Sequence, residues 1–311
     1  MGTRTPPESR RPLDLAAARR VAVEAAEAAG ALLSARVGGP LDVRLKDAGG
    51  DVVTELDVAA ESLILERLRE AYPEHRVIAE ESGLSGGEGG ADGDDDGGRP
   101  VWLVDPLDGT NNVAIGMPVY AVGLALCAGT VPVLGVVHDP VSGRTWSAIQ
   151  GQGALGPSGA PLSLKGASRP GREDNPVVAW TQGHGVGRCD PVAFPLRSLL
   201  EARSGRVLQL WAPLVAWVML ARGDIDGMVG YRPEVVDLPA GAILAAEAGA
   251  ELRTLDGSPY EPGIDRSPDE LSFVAARPAV LERLLETTGK AARLAREAGS
   301  SEGLRHLPLP W

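Results

Sequence analysis

The chain has 311 residues, is 44% hydrophobic and carries a formal net charge of -12 at neutral pH. This length suits one large domain or two intimately packed lobes, and the acidic balance argues against nucleic acid as a partner. No apolar run reaches the length of a membrane span, and residues 1–12 lack the apolar centre of a signal peptide. Two cysteines are too few for a disulfide framework. We therefore expect a cytoplasmic protein that binds neither membranes nor nucleic acid.

The first third of the chain alternates helical and strand patterns. The predicted elements are an alanine-rich helix from residue 15 to about 36, a second helix over 56–71 and a short strand over 76–79. Asp14 is a candidate N-cap for the first helix, and Pro73 explains the end of the second. Residues 83–99 are almost wholly Gly, Asp, Glu and Ser, which indicates a flexible acidic loop.

Residues 101–112 combine an apolar strand pattern with dense polar chemistry. After Val104 the sequence Asp105-Pro-Leu-Asp108-Gly is predicted to turn, with the strand ending at Asp105. Two carboxylates this close repel each other unless a cation or a proton lies between them. The oxygen-rich side chains favour a hard divalent ion, above all Mg²⁺. Taken alone, the same motif is equally typical of a solvated turn.

The remaining pattern predicts a sheet followed by a second lobe. Strands are expected over 119–127, 131–138, 144–149, 177–181, 206–210, 225–229 and 271–275, and helices over 191–203, 213–222, 238–248 and from 278. The turn-rich residues 150–176 mark the passage between the lobes.

Acidic residues recur where these apolar elements end or begin. They are Asp57, Glu80, Glu81, Asp105, Asp108 and Asp237. Each one alone is more typical of a cap, and Asp237 in particular suits the start of the helix at 238. Their order along the chain is what points to a shared site.

Three blocks in this order resemble the inositol monophosphatase family of Mg²⁺-dependent, lithium-sensitive phosphatases. The blocks are Asp51-Val-Val-Thr-Glu-Leu-Asp57 with Glu80-Glu-Ser82, Trp102-Leu-Val-Asp-Pro-Leu-Asp-Gly-Thr-Asn-Asn112, and Val236-Asp-Leu-Pro-Ala-Gly241 with Glu247-Ala-Gly249. The resemblance spans about residues 15–285. It implies an α/β (α+β) fold, a layered αβαβα sandwich of the sugar-phosphatase type with two intimately packed lobes.

The resemblance also implies the domain boundaries. A single phosphatase domain would cover 13–285, with an N-terminal lobe of about 13–170 and a C-terminal lobe of about 171–285. Residues 1–12 and 286–311 would be tails. The family habit further implies a homodimer.

The metal sites implied by the resemblance use oxygen ligands only. A first Mg²⁺ would be held by Glu80, Asp105 and the carbonyl oxygen of Leu107. A second would be held by Asp105, Asp108 and Asp237, and a third, weaker site would lie near Glu80 and Asp57.

The catalytic and substrate-binding roles implied by the resemblance fall on the same blocks. Thr110, paired with Asp57, would orient and deprotonate the attacking water, with Glu80 as a third catalytic residue. Substrate contacts are implied for Gly109, Thr110, Asn111, Asp108, Asp237 and the loop lysine Lys46. The backbone N–H groups of Gly109 and Thr110 would cradle the phosphate, because no Cβ intrudes at the glycine.

The chain departs from the family pattern near the expected substrate. Val236 stands where relatives carry Trp, and Leu210-Trp-Ala-Pro-Leu214 replaces a Gly-Ser-Ala-Ala type of turn. Counting back from Asp237, Gly230 falls where inositol-hydrolysing members place an acidic residue. We interpret Trp211 and Trp217 as core residues. Arg232 and Glu234 are either solvated or contacts for a different leaving group, and His138 and His184 lack the spacing of metal ligands.

The leading hypothesis is therefore a Mg²⁺-dependent phosphomonoesterase for a small polyol- or sugar-like monophosphate. Alternatives on related scaffolds are 3′(2′),5′-bisphosphate nucleotidase, histidinol phosphatase and fructose-1,6-bisphosphatase activity. A strongly basic pocket would favour the nucleotidase, and the sequence shows no such cluster. A non-catalytic relative that binds metal or phosphate is the alternative from another class.

Overall fold

The computed structural model describes residues 13–39, 41–46, 52–85, 99–165, 171 and 173–300. The helices are α1 (Leu15–Arg36), α2 (Glu55–Ala71), α3 (Thr110–Ala114), α4 (Ala193–Arg203), α5 (Pro213–Ala221), α6 (Pro239–Ala248) and α7 (Pro278–Ser300). The strands are β1 (Val43–Leu45), β2 (Val52–Thr54), β3 (Arg76–Ala79), β4 (Gly83–Ser85), β5 (Val101–Asp108), β6 (Ala121–Ala128), β7 (Val131–Asp139), β8 (Arg144–Ile149), β9 (Gly153–Leu155), β10 (Pro161–Leu162), β11 (Val177–Gln182), β12 (Arg206–Leu208), β13 (Gly227–Tyr231), β14 (Glu251–Arg253) and β15 (Phe273–Ala276).

Two large sheets organise these elements. The first has eight strands in the order β10-β9-β8-β7-β6-β5-β3-β4 and is antiparallel except where β3 runs parallel to β5. The second has five strands in the order β12-β11-β13-β15-β14, and β11 is parallel to both of its neighbours. Strands β1 and β2 form a separate hairpin.

The helices complete a five-layer arrangement. Helices α1 and α2 cover the outer face of the first sheet, α5 and α6 lie between the two sheets, and α4 and α7 cover the second sheet. Each sheet thus buries both of its faces, as its nearly continuous apolar strands require. The close approach of α6 depends on Gly135 in β7, where a Cβ would lie 2.5 Å from the carbonyl oxygen of Ala240. The predicted αβαβα sandwich is confirmed.

Several predicted boundaries differ from the structure. Strand β5 does not end at Asp105 but continues to Asp108. Strand β13 lies two residues later than expected, and α7 extends to Ser300 through residues predicted to form a tail. Residues 83–85 form β4 rather than loop, whereas 86–98 lie outside the described residues, as do 1–12 and 301–311.

None of the described helices is both long enough and apolar enough to cross a lipid bilayer.

Candidate active site

A β-bulge in β5 brings Asp105 and Asp108 to one side of the sheet. Asp105 pairs with Gly123 and Asp108 with Ala121, so β5 contains one more residue than β6 between these pairs. In a regular strand, side chains three residues apart point to opposite faces. The extra residue changes that alternation, as bulges near functional sites often do. Both carboxylates consequently line the same cavity.

Asp57 uses its two carboxylate oxygens differently. Oδ2 accepts hydrogen bonds from the backbone N–H of Thr54 (2.8 Å) and from the Thr54 hydroxyl (2.6 Å), which forms the capping box of α2. Oδ1 accepts a hydrogen bond from the hydroxyl of Thr110 (2.6 Å). Burial raises the pKa of Asp57, and the hydrogen bonds from Thr110 and Thr54 oppose that rise. The same carboxylate therefore caps a helix and holds Thr110.

Asp105 is a buried carboxylate with one oxygen that lacks a donor. Oδ1 accepts a hydrogen bond from the N–H of Leu107 (3.1 Å), whereas Oδ2 has no hydrogen-bond partner. Burial raises the pKa of Asp105 well above its ordinary value, and neighbouring acidic groups raise it further. These groups are Glu80, Asp108 and Asp237. Such a cluster is electrostatically costly without a proton or a cation.

Asp108 is tied to the start of α5. Its Oδ2 accepts a hydrogen bond from the backbone N–H of Leu214 at 2.7 Å. This contact links the first sheet to the helices between the sheets, and it caps the N-terminal turn that follows Pro213. Burial raises the pKa of Asp108 well above its ordinary value, and the backbone hydrogen bond from Leu214 acts against the rise.

Lys46 holds the Glu80 side chain at the end of β3, and Glu61 holds the turn that follows it. Lys46 Nζ lies 2.7 Å from Glu80 Oε1 and 2.5 Å from Glu81 Oε1. The next turn is fixed by Glu61 of α2, whose carboxylate accepts the backbone N–H groups of Glu81 (2.8 Å) and Ser82 (3.0 Å). Glu61 was missed from the sequence, although a charged residue on the apolar face of α2 is a readable signal.

Gly109 joins β5 to α3 in the left-handed region. Its φ is 98°, and a Cβ at this position would lie 2.8 Å from the carbonyl oxygen of Val119. A side chain is therefore excluded by both conformation and space. The short helix α3 begins at the next residue, and Gly109, Thr110 and Asn111 all line the cavity.

The acidic residues meet in a cavity of about 570 Å³. We call its acidic side the carboxylate floor, formed by Glu80, Asp105, Asp108 and Asp237. Asp237 thus joins the β5 carboxylates despite its distance along the chain. Asp57, Lys46 and Leu107 do not line the cavity, but each contacts a residue that does. Leu107 does so through its carbonyl oxygen, which accepts the Thr110 hydroxyl at 2.9 Å.

The donor chemistry of the floor fits Mg²⁺. Within the described ranges, no three acidic, His or Cys side chains surround a common point as a preformed metal site. The available donors are nevertheless carboxylate and carbonyl oxygens, which Mg²⁺ prefers. A cation beside Asp105 Oδ2 would also relieve a buried oxygen that has no hydrogen-bond donor.

The remainder of the cavity was largely missed from the sequence. We call it the C-terminal wall, and it consists of Trp180–His184, Val186, Arg188, Arg197, Gln209, Trp211 and Pro213. Seven of these eleven residues lie in the last part of β11 or directly after it, at the carboxyl end where parallel strands commonly present ligand-binding loops. That position depends on strand order, which sequence periodicity does not reveal.

One interpretation of an individual residue was wrong, and a second residue proved to lie against the core. Trp211 is 57% exposed on the cavity, with a positive φ of 54°, whereas Trp217 is a core residue as expected. Gly230 lies inside β13, and a Cβ there would lie 2.2 Å from the ring of Phe273. An acidic side chain at position 230 could not reach the cavity, because the space is already filled by the core.

The loop before Asp237 does not contribute its charged side chains to the cavity. Arg232 forms an ion pair with Asp269 and lies over the ring of Tyr231. Glu234 is exposed, and neither residue lines the cavity. His138 makes a hydrogen bond to Thr145 Oγ1 at 2.9 Å, away from the cavity.

Known proteins resemble this chain over most of its length. The model of the inositol monophosphatase family matches residues 14–295. Inositol monophosphatase 1 of Solanum lycopersicum is 33% identical over 221 residues, which cover 68% of this chain and 75% of that protein. The Nus factor SuhB of Pseudomonas aeruginosa is 31% identical over 249 residues, which cover 76% and 85%.

Solved structures of similar proteins superpose on this chain over most of its length. The extragenic suppressor protein SuhB of Bartonella henselae superposes with a TM-score of 0.75 at 26% identity, covering 88% of this chain and 99% of that one. The inositol monophosphatase of Anabaena superposes with a TM-score of 0.72 at 25% identity, covering 89% and 97%. Homologues of this kind are phosphoric monoester hydrolases. The chain belongs to the inositol monophosphatase family.

Proposed function

We propose that this protein is a Mg²⁺-dependent phosphomonoesterase that hydrolyses a small polyol- or sugar-like monophosphate. The observation that carries the proposal is the 2.6 Å hydrogen bond from Thr110 Oγ1 to Asp57 Oδ1 at the edge of the carboxylate floor. If the motif were only a solvated turn, a buried carboxylate that orients a hydroxyl toward a cavity would not be expected.

The floor residues would hold the metal ions. Glu80, Asp105 and the carbonyl oxygen of Leu107 would take one Mg²⁺, and Asp105, Asp108 and Asp237 a second. A third, weaker site near Glu80 and Asp57 would compete with the Lys46 ammonium, which already contacts Glu80. When bound, Mg²⁺ supplies the positive charge that makes a water more acidic and neutralises the leaving oxygen.

Thr110 and Asp57 would handle the proton of the attacking water. Because Thr110 donates its own proton to Asp57 Oδ1, a lone pair of its oxygen is available to accept a hydrogen bond from a water in the cavity. As the water oxygen attacks phosphorus, its proton passes to Thr110 Oγ1, and the Thr110 proton passes to Asp57 Oδ1. The phosphorus–oxygen ester bond breaks, and the leaving alkoxide is protonated by solvent. No covalent enzyme intermediate is required.

The start of α3 would bind the phosphate. The glycine at position 109 leaves space for phosphate oxygens to approach the backbone N–H groups of Gly109 and Thr110. Asn111 lines the same part of the cavity. These fixed groups would act by positioning and by electrostatic stabilisation of the charge that develops during transfer.

A phosphate-release screen tests this proposal. Inositol, sugar, histidinol and nucleotide phosphates would be assayed with and without Mg²⁺, beside a Thr110→Ala variant as the matched control. We expect Mg²⁺-dependent release that the variant lacks. Release from none of the four substrate groups would contradict a phosphatase and favour the non-catalytic alternative.

Family membership supports three further properties that we propose for this chain. They are inhibition by lithium, assembly as a homodimer and a cytoplasmic location. Lithium inhibition would be measured at high Mg²⁺ in the same assay, and full indifference to lithium would contradict it.

A further inference from the structure

Two arginines on the C-terminal wall lack protein partners. Arg188 lies between β11 and α4, and Arg197 lies on α4, and both line the cavity. Neither guanidinium forms a hydrogen bond or an ion pair with any other residue in the described part of the chain. Asp190, the acidic residue nearest to Arg188 in sequence, instead accepts the N–H groups of Val192 and Ala193.

Six other arginines in the same lobe form ion pairs within the described residues, whereas the exposed Arg206, Arg293 and Arg296 form none there. Arginines that form ion pairs there are Arg203, Arg222, Arg232, Arg253, Arg266 and Arg277. The chain has 42 acidic against 30 basic residues, so carboxylate partners are abundant. Of the arginines without an ion pair, Arg188 and Arg197 line the cavity that also holds the carboxylate floor.

Negative charge thus lies on the floor side of the cavity, and positive charge lies on the C-terminal wall. A phosphate on the floor side would be neutralised by metal ions and by the backbone of α3. Any anionic group farther along the substrate would be repelled by the floor carboxylates, and the guanidinium groups of the C-terminal wall could offset this repulsion. Arginine presents a planar set of donors that matches phosphate and carboxylate oxygens.

We propose that Arg188 and Arg197 bind a second anionic group on the leaving-group side of the substrate, so that the preferred substrates are phosphate monoesters that carry another phosphate or a carboxylate. This inference rests on the proposed phosphatase function. It assigns the two arginines to substrate selection, whereas the floor and Thr110 would perform the chemistry.

Matched substrate pairs separate the two kinds of anion. Fructose 1,6-bisphosphate would be compared with fructose 1-phosphate, and 3-phosphoglycerate with glycerol 3-phosphate, each by phosphate release with Mg²⁺. A preference for the bisphosphate alone identifies a second phosphate, and a preference for 3-phosphoglycerate alone identifies a carboxylate. We expect kcat/KM for the favoured member with a second anionic group to exceed that of its partner by about tenfold, as one charged hydrogen bond allows.

Arginine variants test which residues cause the preference. In Arg188→Gln and Arg197→Gln, the ratio of the two kcat/KM values should fall towards one, mainly through KM of the substrate that carries the second anionic group. Arg206→Gln is the matched control, because it removes the same charge from an exposed arginine outside the cavity and should keep the ratio.

Binding measurements keep this test independent of turnover. The affinity of the Thr110→Ala protein for fructose 1,6-bisphosphate and for 3-phosphoglycerate would be measured by calorimetry, with and without each arginine substitution. A wild-type protein that treats both substrate pairs alike, or arginine variants with unchanged affinity and unchanged ratios, would overturn the inference. Anion binding that depends on both arginines in a protein without phosphatase activity would overturn the proposed function alone.

Discussion

The two sides of the cavity are built in different ways. Two buried carboxylates of the floor each have one oxygen bound by the scaffold, Asp105 by Leu107 and Asp108 by Leu214, and Asp57 next to the floor is bound by Thr54. The C-terminal wall has no such anchoring at Trp211 or Arg188, which are exposed and follow loop backbone. The floor is therefore fixed by the fold itself, whereas the wall can change its side chains without disturbing the core. Under the proposed function, the floor would determine the reaction and the wall would select the substrate.

The largest effect is expected from Asp105→Asn at the floor. Loss of a metal-binding carboxylate should lower Mg²⁺-dependent phosphate release roughly 10³-fold, because the Lewis-acid contribution of the ion is worth several kcal/mol. The measurement is kcat/KM over a Mg²⁺ titration, and near-normal turnover would remove Asp105 from the metal site.

Thermal unfolding of the same variant in EDTA gives a second readout. The pKa of Asp105 is raised in the folded state, chiefly by burial, so this group stabilises the fold below its ordinary pKa and loses that contribution as the pH rises through the raised value. At neutral pH the buried carboxyl of Asp105 is thus a cost to folding in either protonation state, and asparagine avoids that cost. Metal-free Asp105→Asn should therefore melt at a higher temperature than the metal-free wild type.

Thr110→Ala should have the next largest effect. The Thr110 hydroxyl connects Asp57 Oδ1 to the attacking water. Without this hydroxyl the water loses both its orientation and its proton acceptor, and kcat should fall about 10²-fold or more. Mg²⁺ affinity should stay nearly constant, because the Thr110 side chain is not among the proposed ligands. Thr110→Ser keeps the hydroxyl and is the matched control. Equal losses in kcat and in Mg²⁺ affinity would argue against the proposed proton transfer.

The floor was largely readable from the sequence, for a physical reason. Asp57, Asp105, Asp108 and Asp237 each adjoin an apolar element, so periodicity alone places them at element ends. The resemblance then indicated that these ends converge. The bulge at Asp105–Asp108 could not be read, because it depends on the register with β6, and the expected turn proved to be continuous strand.

The wall was mostly unreadable because its residues meet only through tertiary structure. Arg188 and Gln209 belong to separate connections beside neighbouring strands of the second sheet, and nothing in local periodicity pairs them. Trp211 was misassigned because tryptophan usually packs in a core. Its exposure follows instead from a left-handed backbone, held in part by the hydrogen bond from Asn112 Nδ2 to the carbonyl oxygen of Leu210 (2.7 Å).

The positive φ of Trp211 allows a test of the wall with a smaller expected effect, in which stability and substrate binding are measured together. Glycine adopts a positive φ at little cost, so Trp211→Gly should be more stable than Trp211→Ala by about 1 kcal/mol after the larger chain entropy of unfolded glycine is included. Both variants should raise substrate KM by about fivefold through loss of the indole surface. Denaturant unfolding and steady-state kinetics measure the two quantities. Unchanged KM in both variants would show that Trp211 does not touch the substrate.

The smallest effect is expected at His75, which links β3 to β5, the strands that carry the carboxylate floor. His75 Nδ1 accepts a hydrogen bond from Trp102 Nε1 at 3.1 Å, and its ring stacks on Tyr72. This contact requires an unprotonated Nδ1, and burial lowers the pKa of His75 from its ordinary value.

Because the folded pKa lies below the unfolded one, the unfolded chain binds the proton first as the pH falls. The stability that His75 contributes is complete above about pH 6.5 and is lost as the pH falls from there through the lowered pKa. His75→Gln cannot titrate and should flatten the dependence of unfolding free energy on pH between about 7 and 5, whereas His184→Gln, at an exposed site, should keep it. If both variants follow the wild-type curve, the pH sensitivity lies elsewhere, for example at His138, whose pKa is also lowered by burial. A flattened curve with normal kcat in His75→Gln would instead show that the scaffold beneath the floor can be weakened without altering the chemistry above it.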